Sequence, residues 1–146
     1  MRHWGKRLFS GIFALVMIAS LLCTAASAAV QSSAYLDGYR AVMTADPHGK
    51  MVITVDVTGV GYMPEIGAKT ICVYESTDGE RFHWVATYES EDYPKMMGSG
   101  SIFYKDVITH QGTVGRYYYA TAFVYAGDST GGDERSYDTN IAQARP

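Results

Sequence analysis

Lys50-Met51-Val52-Ile53-Thr54-Val55-Asp56-Val57-Thr58 is the stretch on which the fold turns. In an extended chain Met51, Ile53, Val55 and Val57 fall on one face, and Val52, Thr54, Asp56 and Thr58 on the other. Strand side chains alternate with a period of two, so this pattern predicts a strand with one buried and one wet face. Outward from it, Ala68–Ser76 is rich in β-branched residues, with Ile71 and Val73 expected inward. Ser76-Thr77-Asp78-Gly79-Glu80 follows, where Asp-Gly offers the positive φ that a tight hairpin needs. The chain then returns through Arg81–Ser90. Phe82, Trp84 and Val85 are all expected to be buried there, through either a bulge or two covered faces. Further strands are expected at Ala34–Met43, Ser101–Val107, Gly115–Ala126 and Ser136–Ala144. The loops expected between them are Thr44–Gly49, Gly59–Gly67, Glu91–Gly100, Ile108–Val114 and Gly127–Arg135, each marked by Gly, Pro or Asp. No helical period of useful length runs against these strands. An all-β, seven-stranded antiparallel sandwich is therefore expected, because an antiparallel sheet needs a second sheet over its apolar face.

The first 29 residues read differently. Arg2, Lys6 and Arg7 precede an apolar run from Leu8 to Leu22, and Thr24-Ala25-Ala26-Ser27-Ala28-Ala29 follows. This is the three-part layout of a secretory signal peptide, cleaved after Ala28 or Ala29. The apolar run is shorter than the ~20 residues a spanning helix needs. Leu22 before Cys23 also departs from a lipoprotein cleavage pattern. The expected product is a secreted, extracellular single domain of residues 30–146 that does not insert into membrane after cleavage. Nine basic residues then face 15 acidic ones, a net charge of −6, which disfavours nucleic acid as a partner. Cys72 is left as a single cysteine, so packing rather than disulfide bonding must hold the domain together.

The stretch Gly115-Arg116-Tyr117-Tyr118-Tyr119-Ala120-Thr121-Ala122-Phe123-Val124-Tyr125-Ala126, a Gly-bearing loop and Ser136–Ala144 carry a family likeness. They resemble the last two strands of fibronectin type III and related immunoglobulin-like domains, and the Ile71–Tyr88 hairpin fits the same plan. The strand-B Trp of those domains is not apparent here, and the cysteine pair of antibody domains is missing. The layout is also similar to small secreted proteins of Gram-positive bacteria. That resemblance implies an immunoglobulin-like fold and no particular activity.

With Tyr118, Ala120, Ala122 and Val124 inward, Tyr117, Tyr119, Phe123 and Tyr125 share the outer face of one strand at steps of about 7 Å. Rings so spaced can stack on sugars or on apolar side chains, and these four are the candidate binding residues. The competing expectation is that cross-strand neighbours cover them. No nucleophile stands with a base: there is no Gly-x-Ser-x-Gly elbow, and Cys72 is expected to be buried and inert. Asp128, Asp133 and Glu134 lack EF-hand spacing, and His48 beside Asp46 is too sparse for zinc. A non-enzymatic protein without cofactor or metal is expected. It would be a binding module for a surface glycan or protein, or else a structural or interaction protein that associates through an edge strand, with a hydrolase as the third alternative.

Overall fold

Alternation of the kind seen in Lys50–Thr58 governs most of the chain. The computed structural model describes residues 33–146, so the expected signal peptide lies outside the described residues. Nine strands occur among the described residues: β1 (Leu36–Ala45), β2 (Lys50–Met63), β3 (Glu65–Ser76), β4 (His83–Glu89), β5 (Met97–Gly98), β6 (Ser101–Gln111), β7 (Tyr117–Asp128), β8 (Gly131–Asp138) and β9 (Ala142–Gln143). The first sheet has the order β1-β2-β6 and the second β4-β3-β7-β8, with β5 pairing β3 and β9 pairing β7. Every pairing is antiparallel. The molecule is thus an all-β, two-sheet sandwich.

The inner faces meet as the alternation requires. Met51, Ile53, Val55 and Val57 of β2 join Ile66, Ile71 and Val73 of β3 and Tyr118, Ala120, Ala122 and Val124 of β7 in one buried core. Met96, from a single 3-10 turn at Pro94–Met96, enters the same core and is fully buried. Each large aliphatic side chain removed from water in this way contributes roughly 1.5–3 kcal/mol.

Seven strands were expected where nine occur, and the differences have local causes. Ser136–Ala144 divides into β8 and β9 because Thr139 and Asn140 make other bonds. Thr139 N–H donates to the Ala120 carbonyl at 2.8 Å, and its hydroxyl accepts from Ala120 N–H at 2.9 Å. The Asn140 amide accepts from Met43 N–H and donates to Met43 C=O, so one side chain occupies the outer edge of β1. The expected loop Gly59–Gly67 is mostly strand, with Gly59 and Gly61 inside an irregular register between Thr58 and Met63 and Pro64 at the break between β2 and β3. Likewise β6 runs on to Gln111, because Ile108 and His110 continue the inward alternation opposite Ile53 and Met51. The Gly127–Arg135 loop shrinks to a turn at Ser129-Thr130, where Asp128 Oδ1 accepts the N–H and hydroxyl of Thr130 at 2.7 and 2.6 Å.

The β3–β4 pairing resolves the open register. Val73 opposes Ala86 and Tyr74 opposes Trp84, so Val85 is the extra residue of a bulge. That bulge turns Trp84 outward, and it is 60% exposed rather than buried. Cys72 differs from expectation for a related reason: with Ile71 and Val73 inward, it faces out and is half-buried. Its sulfur lies 3.8 Å from Thr87 Oγ1.

One end of the core carries charge. Glu75 is buried, and its carboxylate accepts from Arg116 and from the Tyr118 hydroxyl. That hydroxyl in turn accepts from Thr113 N–H at 2.8 Å. Burial works against the Glu75 anion, but the hydrogen bonds from Tyr118 and Arg116 and the charges of Arg116 and His83 hold its pKa below the usual value. Nearby, the Tyr88 hydroxyl of the second sheet meets His110 Nδ1 of the first at 2.9 Å. Burial lowers the His110 pKa, and the Glu75 charge only partly opposes that shift.

Candidate functional site

β7 is an interior strand of the second sheet, so its outward side chains have neighbours on both sides. The alternation holds along it: Tyr118, Ala120, Ala122 and Val124 are buried, and Tyr117, Tyr119, Phe123 and Tyr125 are half-buried on the outer face. The register places Tyr119 opposite Tyr74, and Tyr74 opposite Trp84. Three aromatic residues therefore stand abreast on β7, β3 and β4.

The rings are used unequally. Tyr119 and Tyr74 stack with centroids 4.8 Å apart and planes 8° apart, while Phe82 meets Tyr119 edge-on at 4.9 Å. Tyr119 is thereby flanked within the sheet, and offset-stacked and edge-to-face contacts of this kind are worth about 0.5–1.5 kcal/mol each beyond area burial. Tyr117 lies over the hairpin tip, where a Cβ at Gly79 would come 3.6 Å from the ring. Tyr125 lies across the β7–β8 hairpin. A Cβ at Gly127 or Gly132 would fall 2.3 or 2.2 Å from its hydroxyl, so these two glycines make room for the ring. The other flank of Tyr125 receives the Lys69 ammonium, 3.6 Å from the ring centroid. Burial raises the Tyr119 and Tyr125 pKa values, so both phenols stay neutral and able to donate at ordinary pH.

Polar groups fill the face between the rings. Thr121 donates to Asp138 at 2.6 Å and Thr70 to Glu89 at 2.7 Å. The Trp84 indole N–H donates to Thr87 Oγ1 at 2.8 Å, which fixes the indole at the open edge of the sheet. The face combines apolar ring surface with hydroxyls and carboxylates. Among the described residues, no three His, Cys, Asp or Glu side chains are grouped to hold a metal ion. The acidic residues near Gly131-Gly132 have other partners: Asp128 holds Thr130, and Asp133 accepts from the Ser33 hydroxyl and Ala34 N–H.

The four sequence-derived residues are brought onto one face, with Tyr119 engaged most heavily in packing. Sequence reasoning missed Trp84 and Tyr74. The signal for Tyr74 was its outward parity with respect to Ile71 and Val73; for Trp84 the adjacent apolar pair Trp84-Val85 admitted a bulge without showing which of the two it would turn outward. No protein-family model matches the chain, and no curated protein matches it in sequence.

Proposed function

We propose that the chain is an exported, non-catalytic binding module that engages a surface glycan through the outer face of the second sheet. The observation that carries this reading is the rank Trp84–Tyr74–Tyr119, aromatic across three strands and ending in an indole 60% exposed. Strand pairing does not require such a face, and a solvated aromatic surface interspersed with hydroxyls suits the alternating apolar and hydroxyl character of sugar rings. The immunoglobulin-like, fibronectin type III-like character belongs to the same reading. It is supported by the order of the seven longer strands, β1-β2-β6 against β4-β3-β7-β8. Export is supported by the layout of residues 1–29.

The second reading, association through an edge strand, is favoured by one feature. β4 carries no charge between His83 and Glu89, whereas β8 carries Asp133, Glu134, Arg135 and Asp138 and the β1 edge is occupied by Asn140. Co-sedimentation of residues 30–146 with insoluble glycans and purified cell walls separates the two. The glycan reading expects binding that falls at least tenfold in Trp84→Ala and Tyr125→Ala variants of unchanged thermal midpoint. No binding to any glycan, together with concentration-dependent association lost on substituting Val85 by Lys, favours the edge reading.

A further inference from the structure

At the Tyr125 end, the aromatic face runs into a groove of about 770 Å³ whose lining includes Glu65, Lys69, Glu89, Glu91, Met97 and Glu134. Its carboxylates come from separate places: Glu65 from the start of β3, Glu89 from the end of β4, Glu91 from the following turn and Glu134 from β8. Tyr125 stands directly opposite Glu134 in the β7–β8 register. Among the described residues, none of these four carboxylates has a Lys or Arg nitrogen within 4.0 Å. Lys69 is the cation in the lining, yet its ammonium is on the Tyr125 ring rather than on a carboxylate. The groove therefore has a surplus of negative charge beside a ring that already accepts an aliphatic ammonium.

We infer that the glycan engaged by this face is an amine-bearing one, a polymer of amino sugars without their N-acetyl groups. This rests on the glycan reading and names its ligand class. An amino-sugar unit presents an apolar C–H face and a primary ammonium on one rigid ring. The C–H face matches the outward aromatic side chains, and the ammonium matches the groove by charge. Cation–π attraction of an ammonium to a Tyr face adds to the Coulombic attraction of the carboxylates. Lys69 is the in-chain stand-in for that ammonium. It occupies Tyr125 in the free protein, and a ligand amine competes with it for the same ring. Removing the Lys69 charge therefore tightens binding, both by freeing the Tyr125 ring and by removing a positive charge beside the carboxylates.

The test is calorimetric titration of residues 30–146 with a glucosamine hexamer and an N-acetylglucosamine hexamer, in low salt and at a pH where the free amines are charged. Wild type is expected to bind the free-amine hexamer at least tenfold more tightly, with the preference shrinking in 0.5 M salt. Lys69→Ala is expected to tighten binding of that hexamer about threefold. Glu89→Gln/Glu134→Gln is expected to weaken it toward the acetylated value at an unchanged thermal midpoint. Equal affinity for the two hexamers overturns the amine inference and leaves the glycan reading standing. Failure to bind either hexamer, with binding retained to another neutral glycan, overturns the inference alone. No glycan binding at all removes both. Equally tight binding of a lysine hexapeptide overturns the inference in favour of a basic peptide ligand.

Discussion

On the outward side of the first sheet, Thr44, Val52 and Thr109 stand abreast on β1, β2 and β6, and Val42, Thr54 and Val107 form the next rank. On the outward side of the second, the corresponding rank is Trp84, Tyr74 and Tyr119. Alternating Thr and Val is what strand formation by itself favours, because β-branched side chains suit a pleated, half-wet surface. The aromatic rank goes beyond that need. Its members are also not equivalent: Tyr119 is held between Tyr74 and Phe82, while Trp84 is fixed by one hydrogen bond and left open to solvent. The contrast separates two uses of aromatic residues within one sheet, as struts between strands and as exposed surface.

Stability measurements sharpen that division. Tyr119→Ala, which removes both ring contacts, is expected to cost about 2–4 kcal/mol in urea unfolding. A cost below about 0.5 kcal/mol would put Tyr119 with the free surface. Tyr118→Phe, on the inner side of the same strand, is expected to cost about 1–3 kcal/mol because Glu75 and Thr113 N–H each lose a partner. Thr54→Ala, on the β-branched face, is expected to change stability by no more than about 0.5–1 kcal/mol. Were it as costly as Tyr119→Ala, the two faces would not differ in the way described.

Acidity probes the join between the sheets. His110 has a lowered pKa in the folded protein, so the unfolded chain takes up the proton first as pH falls. Its contribution to stability is complete above the unfolded value near 6.5 and is lost progressively below it. Glu75 follows at lower pH. Its folded pKa is also lowered, so its contribution is present above the unfolded carboxyl range and is lost as pH falls through the folded value. The thermal midpoint is expected to drop in these two stages, and His110→Gln to remove the first. A midpoint flat from pH 7.5 to 5 in wild type contradicts the role given to His110.

The period-two segments were legible in sequence because burial on one face imposes the alternation. Lys50–Thr58 and Tyr117–Val124 took the predicted faces residue by residue. What the sequence concealed depended on long-range pairing. A bulge in Arg81–Ser90 was one of two readings open in the sequence, but its place at Val85, which reverses parity in β4 and exposes Trp84, follows only from the register against β3. Gly127 and Gly132 read as loop residues, yet they lie within β7 and β8 and clear space for Tyr125. The acidic groove was invisible for the same reason, since Glu65, Glu89, Glu91 and Glu134 come to line one groove only after four strands, β4, β3, β7 and β8, have paired. The four aromatic candidates were found because they occupy a single strand, where parity alone assigns a common face.

The most direct test of the central claim is an amide NMR titration of residues 30–146 with the glucosamine hexamer. The account predicts shifts concentrated at Trp84, Tyr74, Phe123, Tyr125 and the neighbouring residues of β3, β4, β7 and β8, with Val42, Thr54 and Val107 unmoved. Shifts centred on β1, β2 and β6, with the aromatic face silent, would contradict it.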